Sequence, residues 1–250
     1  MPAKRRSAKT ASTNTPTAKK RPVHRTGSGP PANGAHLTRT SPIEDRAPEI
    51  LRRLTEAYTK ATVALHATNP LEMLVATILS AQCTDERVNE VTRTLFVKYR
   101  TPEDYLAVPA EELANDIRST GFFNQKTKSI RGACLRIVEA YDGQVPGTME
   151  ELLTLPGVAR KTANVVLGNS FGVVEGIAVD THVGRVSRRL GFSEHQDPVK
   201  VEQDLMRLVP RPQWLPFTYT LIDHGRVICV ARRPKCTVCA VENLCPSSQA

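Results

Sequence analysis

The chain has 250 residues, which is long enough to bury one large core or two modest ones. It contains no run of about 18 apolar residues, which excludes a membrane-spanning helix, and no apolar segment at its start marks a secretory signal. The formal net charge of +9 comes from 34 Lys and Arg against 25 Asp and Glu, and this excess is unevenly placed along the chain.

Residues 1–40 hold nine of the basic residues and no Asp or Glu, and the remaining 25 basic residues balance the 25 acidic ones. This segment is rich in Lys, Arg, Thr, Ser, Pro and Gly and offers almost nothing apolar to bury. Residues 1–42 are therefore predicted to form a disordered basic tail. A flexible polycation binds nucleic acid without reading its sequence, and the alternative is a solubilising extension without such a partner.

From about Ile43 onward, the sequence predicts one helix after another. Caps followed by Pro or an acidic residue predict helix starts at residues 69–72, 101–104, 148–151 and 197–198. Over residues 130–141, apolar side chains recur every three or four positions, which indicates one buried helix face. Alternating strand patterns are scarce, so the predicted fold is all-α.

Four cysteines, Cys229, Cys236, Cys239 and Cys245, are separated by six, two and five residues. Four thiolates in so short a segment suit an iron–sulfur cluster or a tetrahedral zinc site, and the spacing does not choose between these metals. Disulfides are a weaker interpretation, because nothing marks the chain as secreted. The other two cysteines, Cys83 and Cys134, lie in apolar helical patterns and are predicted to be core residues.

A second strong feature is the segment Leu155-Pro156-Gly157-Val158-Ala159-Arg160-Lys161. Its Pro-Gly pair forces a tight turn, with a predicted helix at about residues 148–155 before it and an amphipathic segment at residues 162–167 after it. A helix that opens directly after a turn points free backbone N–H groups outward, which suits a phosphate. The pattern predicts a helix-hairpin-helix, and the alternative is an ordinary corner between two helices.

Together, these features resemble the endonuclease III branch of the helix-hairpin-helix DNA glycosylases. The matching parts are residues 79–85 (LSAQCTD), 155–161 (LPGVARK), 177–182 (IAVDTH) and the four cysteines, in the family's order. The resemblance covers residues 43–246 and leaves the basic tail outside it. It implies two helical domains with the active site in the groove between them. Residues 63–173 would be a bundle with the hairpin, and residues 43–62 plus 174–250 an iron–sulfur cluster domain.

The resemblance implies two catalytic residues. Lys161 matches the lysine that attacks the sugar C1′ and forms a Schiff base, for which it must lose its proton. Its place at a helix start, together with burial, is expected to disfavour the ammonium form. Asp180 matches a carboxylate that stabilises positive charge on the sugar, and Asp180 or Thr181 is also expected to cap a helix. His182 is either a pocket residue or a structural hydrogen-bonding partner.

The resemblance also implies DNA contacts. Gln82 fills the gap left by an extruded nucleotide, and Phe122, with Phe123 as its competitor, is an apolar wedge. The phosphate contacts are the hairpin residues Gly157, Val158, Ala159 and Arg160 and the cluster-loop residues Arg232, Arg233 and Lys235. The family's [4Fe–4S] cluster favours iron over zinc at the four cysteines. Ala159 departs from the family's usual glycine, and a positive φ there would cost about 1 kcal/mol.

The implied function is a bifunctional DNA glycosylase and AP lyase in base excision repair. It would remove oxidised pyrimidines from double-stranded DNA and cleave abasic sites by β-elimination. One alternative is a monofunctional adenine- or thymine-mismatch glycosylase of the same fold, which usually lacks the lysine. The other is a non-catalytic iron–sulfur DNA-binding protein, which needs none of Gln82, Lys161 and Asp180. The sequence further predicts a monomer without a membrane partner, located in the cytoplasm and associated with the nucleoid.

Overall fold

A computed structural model describes residues 37–250 of the chain. Eleven α-helices follow one another in this part: α1 (Ile43–Ala57), α2 (Pro70–Leu79), α3 (Asp85–Lys98), α4 (Pro102–Ala107), α5 (Ala110–Asp116), α6 (Phe123–Ala140), α7 (Met149–Leu152), α8 (Arg160–Val166), α9 (Thr181–Leu190), α10 (Pro198–Leu208) and α11 (Trp214–Val227). Short 3-10 turns lie at Arg118–Thr120, Arg211–Gln213, Cys236–Val238 and Glu242–Leu244, and a π-turn at Leu167–Phe171 follows α8. Residues 37–250 contain no β-strand, which confirms the predicted all-α fold. None of their helices is long and apolar enough to cross a bilayer.

Side-chain caps set the helix starts that the sequence predicted. The caps are Asn69 on α2, Thr101 on α4, Thr148 on α7 and Asp197 on α10, each accepting a hydrogen bond from a backbone N–H. Helix α7 ends at Leu152, earlier than the predicted residue 155. Pro156 disfavours helical backbone at the residue before it. The chain therefore tightens into a turn, in which the Leu155 N–H donates to the carbonyl oxygen of Leu152 at 3.1 Å.

Helix α2 is the centre of the first of two hydrophobic cores. Eight of its ten residues are buried, because α3, α6 and α8 pack around it and leave no solvent-facing stripe. The first core draws its side chains from residues 65–178 and includes Leu155 and Val158 of the hairpin. The hairpin is thus attached to the core that surrounds α2.

The second core is assembled from segments far apart in the sequence. It joins Ile50 and Leu54 of α1 to side chains of α9, α10 and α11 and to Leu244 near the cysteines. Arg46 of α1 ties these parts together, since its Nη1 donates to the carbonyl oxygens of Leu190 at 2.9 Å and Leu244 at 2.6 Å. Both cores belong to one compact unit. The division into domains at residues 63 and 174 stays a prediction.

The predicted basic tail lies largely outside the part of the chain that the structure describes. Residues 1–36, with the disorder predicted for them, fall outside it. Residues 37–42, which the composition groups with the tail, lie beside the second core. Leu37 packs against that core, and Arg39 donates to Oε1 of Glu242 at 2.8 Å. The approach to α1 is therefore attached to the segment that carries the cysteines.

Candidate active site and nucleic-acid interface

Lys161 is the second residue of α8 and follows the tight turn at Gly157. Gly157 has a φ of +81°, and a Cβ placed there would lie 2.5 Å from the Cβ of Ser129 on α6. Only glycine suits both the backbone and this close approach. Because Leu155 and Val158 on either side are buried, the start of α8 is held in a fixed place.

Lys161 and Asp180 line the same groove. Other groove residues are Gln82, Cys83, His182, Arg188 and Arg226. An inner cavity, partly open to solvent, shares Lys161, Asp180 and Arg226 with the groove. Lys161 is exposed, so the predicted burial of its amine is wrong for the protein without DNA, since the groove is open there. Its place at a helix start is as predicted.

Asp180 follows a buried extended segment and caps α9. Its Oδ1 accepts a hydrogen bond from the N–H of Val183 at 2.8 Å, which confirms the predicted cap. Ile177 and Val179 before it are buried in the second core, so the carboxylate is fixed from both sides. One oxygen serves the cap, and the other has no hydrogen-bonding partner within residues 37–250.

His182 lines the groove and also takes part in a structural contact. Its Nδ1 lies 3.2 Å from Nη2 of Arg185, and that guanidinium nitrogen donates to the carbonyl oxygen of Gly225 at 2.7 Å. These contacts join α9 to α11. They support the structural alternative for His182, and a role in the chemistry stays a prediction.

Gln82 and Phe122 occupy two exposed turns with unusual backbone. The φ angle is +52° at Gln82 and +47° at Phe122, a left-handed region that residues other than glycine seldom adopt. Phe122 is 64% exposed, whereas Phe123 packs against the first core. Of the two candidates for the wedge, Phe122 is therefore accessible from solvent, whereas Phe123 contributes to the core.

The hairpin residues differ in what they offer a phosphate. Ala159 has a φ of −101°, extended backbone that any residue adopts, so alanine in place of the family's glycine causes no strain. No side chain caps α8, which leaves N–H groups at its start for another partner. Arg160 is engaged within the protein, since its Nε donates to Oε2 of Glu202 at 2.7 Å. Asn164 donates to the other oxygen of this buried carboxylate at 2.9 Å, which joins α8 to α10.

Two residues of the site, Asp223 and Arg226, lie in a segment without a motif, and the sequence assigns no role to Asp85 although it ends the matching segment 79–85. Asp85, at the start of α3, accepts a hydrogen bond from Nη2 of Arg226 on α11 at 2.6 Å. Asp223 lines the inner cavity, and burial raises the pKa of its carboxyl, although Arg226 opposes the shift. These side chains come together only where α11 meets the first core, so their sequence spacing gives no signal.

The four cysteines Cys229, Cys236, Cys239 and Cys245 line one cavity, and none is in a disulfide. Arg189 supports this cavity, with Nη1 3.3 Å from the sulfur of Cys229. His224 Nε2 lies 3.7 Å from the sulfur of Cys239. Burial raises the pKa of Cys245 to about 11. Within residues 37–250, no group of three His, Cys, Asp or Glu side chains is placed to hold a single metal ion, and the four thiols line one cavity.

Between Cys229 and Cys236 the chain forms a short loop with three exposed basic side chains, Arg232, Arg233 and Lys235. Arg189 holds its base, because Nη2 donates to the carbonyl oxygen of Ala231 at 2.9 Å and Nη1 to that of Val230 at 2.8 Å. None of the three basic side chains forms an ion pair with another described residue. Positive groups on a fixed loop are suited to phosphate.

Comparison with known proteins gives a family for this arrangement. Residues 75–211, more than half of the chain, match the family model described as HhH-GPD superfamily base excision DNA repair protein. An endonuclease III of Synechocystis sp. is 52% identical over 214 residues, which are 86% of this chain and 98% of that protein. Residues 75–211 contain the hairpin and both candidate catalytic residues, Lys161 and Asp180.

Solved structures of related DNA repair enzymes have a similar fold. One of an endonuclease III–DNA covalent intermediate, trapped with an estranged adenine, has a TM-score of 0.79 at 45% identity and covers 82% of this chain and 96% of that chain. A thermostable thymine-DNA glycosylase has a TM-score of 0.73 at 27% identity and covers 81% and 96%. The chain belongs to the endonuclease III family, within the HhH-GPD superfamily of base excision DNA repair proteins.

Proposed function

We propose that this base excision repair enzyme is a bifunctional DNA glycosylase and AP lyase that removes oxidised pyrimidines through a Schiff base on Lys161. The observation that carries the proposal is that Lys161 and Asp180 line one groove and share its inner cavity. A nucleophile and a carboxylate that face one cavity are what base removal needs. Relatives named endonuclease III, at up to 52% identity, support the assignment.

The proposed reaction uses the groove residues in sequence. The neutral amine of Lys161 attacks C1′ as the bond between C1′ and the base breaks, and the departing base takes up a proton. The new C1′ ammonium loses a proton, the C1′–O4′ bond then breaks with a proton going to O4′, and the product is the protonated Schiff base. Loss of a proton from C2′ then expels the 3′ phosphate, and water releases Lys161. The uncapped oxygen of Asp180 accepts the proton of Lys161 and stabilises positive charge on the sugar. Because the cap fixes Asp180, this oxygen needs little reorganisation.

The proposed partner is double-stranded DNA with a damaged base or an abasic site, bound by a monomer. Gln82 and Phe122 would fill the gap in the duplex once the nucleotide turns into the cavity. The exposed start of α8 and the three basic side chains of the cluster loop would bind phosphates. A trapped complex of a relative with DNA, at 45% identity, supports this arrangement. A cytoplasmic, nucleoid-associated location stays a prediction.

We further propose that Cys229, Cys236, Cys239 and Cys245 hold a [4Fe–4S] cluster. Such a cluster binds one thiolate on each iron, so four thiols around a cavity fit it. The Arg189 N–H close to the sulfur of Cys229 is the kind of contact that stabilises a thiolate ligand. Bound there, the cluster would act as a cross-link, while Arg232, Arg233 and Lys235 bind phosphate on the loop it fixes.

Borohydride trapping tests the proposed function. Duplex DNA with one oxidised pyrimidine is incubated with the wild type, Lys161→Ala, and Lys128→Ala as a control on an exposed lysine of α6. We expect a covalent protein–DNA band from the wild type and the control but none from Lys161→Ala, because only Lys161 forms the Schiff base.

Other outcomes would overturn the proposal in distinct ways. Base release without a trapped band would favour the monofunctional mismatch enzyme. Tight binding without release or trapping would favour the non-catalytic DNA-binding protein. A band that persists in Lys161→Ala would assign the nucleophile to another amine.

A further inference from the structure

Lys126 is a buried lysine with an unusual position. It lies on α6 one turn after Phe122, only 4% exposed, on the helix face that also buries Ile130 and Ile137. Its Nζ donates to the carbonyl oxygen of Leu79 at 2.7 Å and to that of Thr120 at 2.8 Å. No acidic side chain pairs with it in the described residues. A buried ammonium that binds only main-chain carbonyls is costly to maintain, which points to a specific task.

The two carbonyls belong to the two turns that present Gln82 and Phe122. Leu79 is the last residue of α2, three positions before Gln82, and Thr120 ends the 3-10 turn two positions before Phe122. Carbonyls at helix ends lack partners within the helix, and the ammonium supplies donors to both. One side chain therefore links the bases of both turns.

Both turns also need such support because of their backbone. Gln82 and Phe122 each have a positive φ, a conformation that is strained for a residue other than glycine. Strained turns of this kind keep their shape only where the surrounding structure holds them. Lys126 binds the carbonyl oxygens of Leu79 and Thr120, which lie just before the two turns.

We propose that Lys126 is a positioning residue, which sets the spacing between Gln82 and Phe122 so that both enter the duplex together as the nucleotide is extruded. The inference rests on the proposed function, since it takes these two side chains to be the ones that fill the duplex. It adds that their placement depends on a single buried cation behind them.

The test compares Lys126→Met with Lys128→Met, an exposed lysine on the same helix. Methionine keeps much of the apolar stem and removes both hydrogen bonds. Nucleotide extrusion is followed by the fluorescence of 2-aminopurine beside the lesion in duplex DNA, and trapping is followed on a single-stranded abasic oligonucleotide, which has no gap to fill. We expect Lys126→Met to lower extrusion and duplex base release roughly ten-fold or more while single-strand trapping stays within about two-fold.

A purely structural role is excluded by two further measurements. In a Gln82→Ala, Phe122→Ala background, Lys126→Met should cause almost no additional loss of extrusion, because nothing remains to be positioned. If Lys126→Met does not fold, Lys126→Arg, which keeps the donors but changes their reach, should give the same selective loss. Equal loss on duplex and single strand, full additivity, or no loss in any variant would overturn the inference. If the wild type extrudes the nucleotide but gives no trapped band, the Schiff base on Lys161 is rejected and the Lys126 inference stands. The fluorescence reports extrusion whether or not a Schiff base forms.

Discussion

Asp180 shows how a single residue can serve the fold and the chemistry together. Its Oδ1 caps α9 through the N–H of Val183, and the cap holds the carboxylate in the groove beside Lys161. The two roles use different oxygens, so they can be separated by a substitution that keeps one of them.

Asp180→Asn is such a substitution. Asparagine caps helices as well as aspartate does, so we expect the melting temperature to change little. The negative charge is lost, so base release and borohydride trapping should fall by about 100-fold or more. Single-turnover kinetics and calorimetry measure the two effects. The control is Asp104→Asn, which alters the capping box of α4 outside the groove, and equal activity of the two variants would contradict a catalytic Asp180.

The sequence identifies site residues that lie in a motif. It does not identify residues that reach the site only through tertiary contacts. Lys161 and Asp180 follow from short segments that match a family. Asp223 and Arg226 do not, because α11 brings them to the groove from a segment without a motif, and Asp85 of the matching segment gains its partner Arg226 only by this contact. Lys126 is intermediate, since a lysine four positions before Ile130 on an apolar helix face is an anomaly visible in the sequence.

At the scale of elements, the hairpin depends on one glycine and tolerates the loss of another. Gly157 has a positive φ and lies against Ser129, whereas Ala159 is extended. The sequence suggests strain at Ala159, because the residue type alone does not reveal the backbone angle. The end of α7 was likewise missed, because a proline four residues after Leu152 allows several ways of closing the turn.

Two substitutions test this difference. Gly157→Ala should destabilise the protein by about 1 kcal/mol from its backbone alone, with a further loss from the overlap with Ser129, and should weaken binding to duplex DNA with an uncleavable abasic analogue. Ala159→Gly should change stability by less than about 1 kcal/mol and leave that affinity unchanged. Chemical denaturation and fluorescence anisotropy measure both. A clear gain in affinity for Ala159→Gly would mean that the family's glycine matters to DNA binding for another reason.

At the scale of the whole molecule, the all-α fold was predictable because caps and apolar periodicity are local. The grouping of helices was not, since composition does not reveal which helix packs on which. The two cores, and the groove where they meet, are visible only in the structure. Only the family resemblance suggested a division of this kind.

Iron and sulfide analysis tests the proposed cluster. We expect the purified protein to contain about four iron and about four acid-labile sulfide per chain, because one [4Fe–4S] cluster accounts for all four cysteines. Cys239 and Cys245 also pack against the second core, so loss of iron should speed hydrogen exchange in α9 and α11 more than in α2. Cys134→Ser, a core cysteine outside the cavity, should leave the metal content unchanged. Stoichiometric zinc without sulfide would contradict the cluster.

The bond from Arg46 to the carbonyl of Leu244 has a consequence for the order in which the chain folds. The first core draws on residues 65–178 alone, so it can assemble while later residues are still being synthesised. Helix α1 is made early, yet the carbonyl partners of its Arg46 lie 144 and 198 residues further along. Its apolar face therefore stays uncovered until α9 to α11 and the segment with Leu244 emerge. During that interval we expect α1 to offer an apolar face that a chaperone can bind.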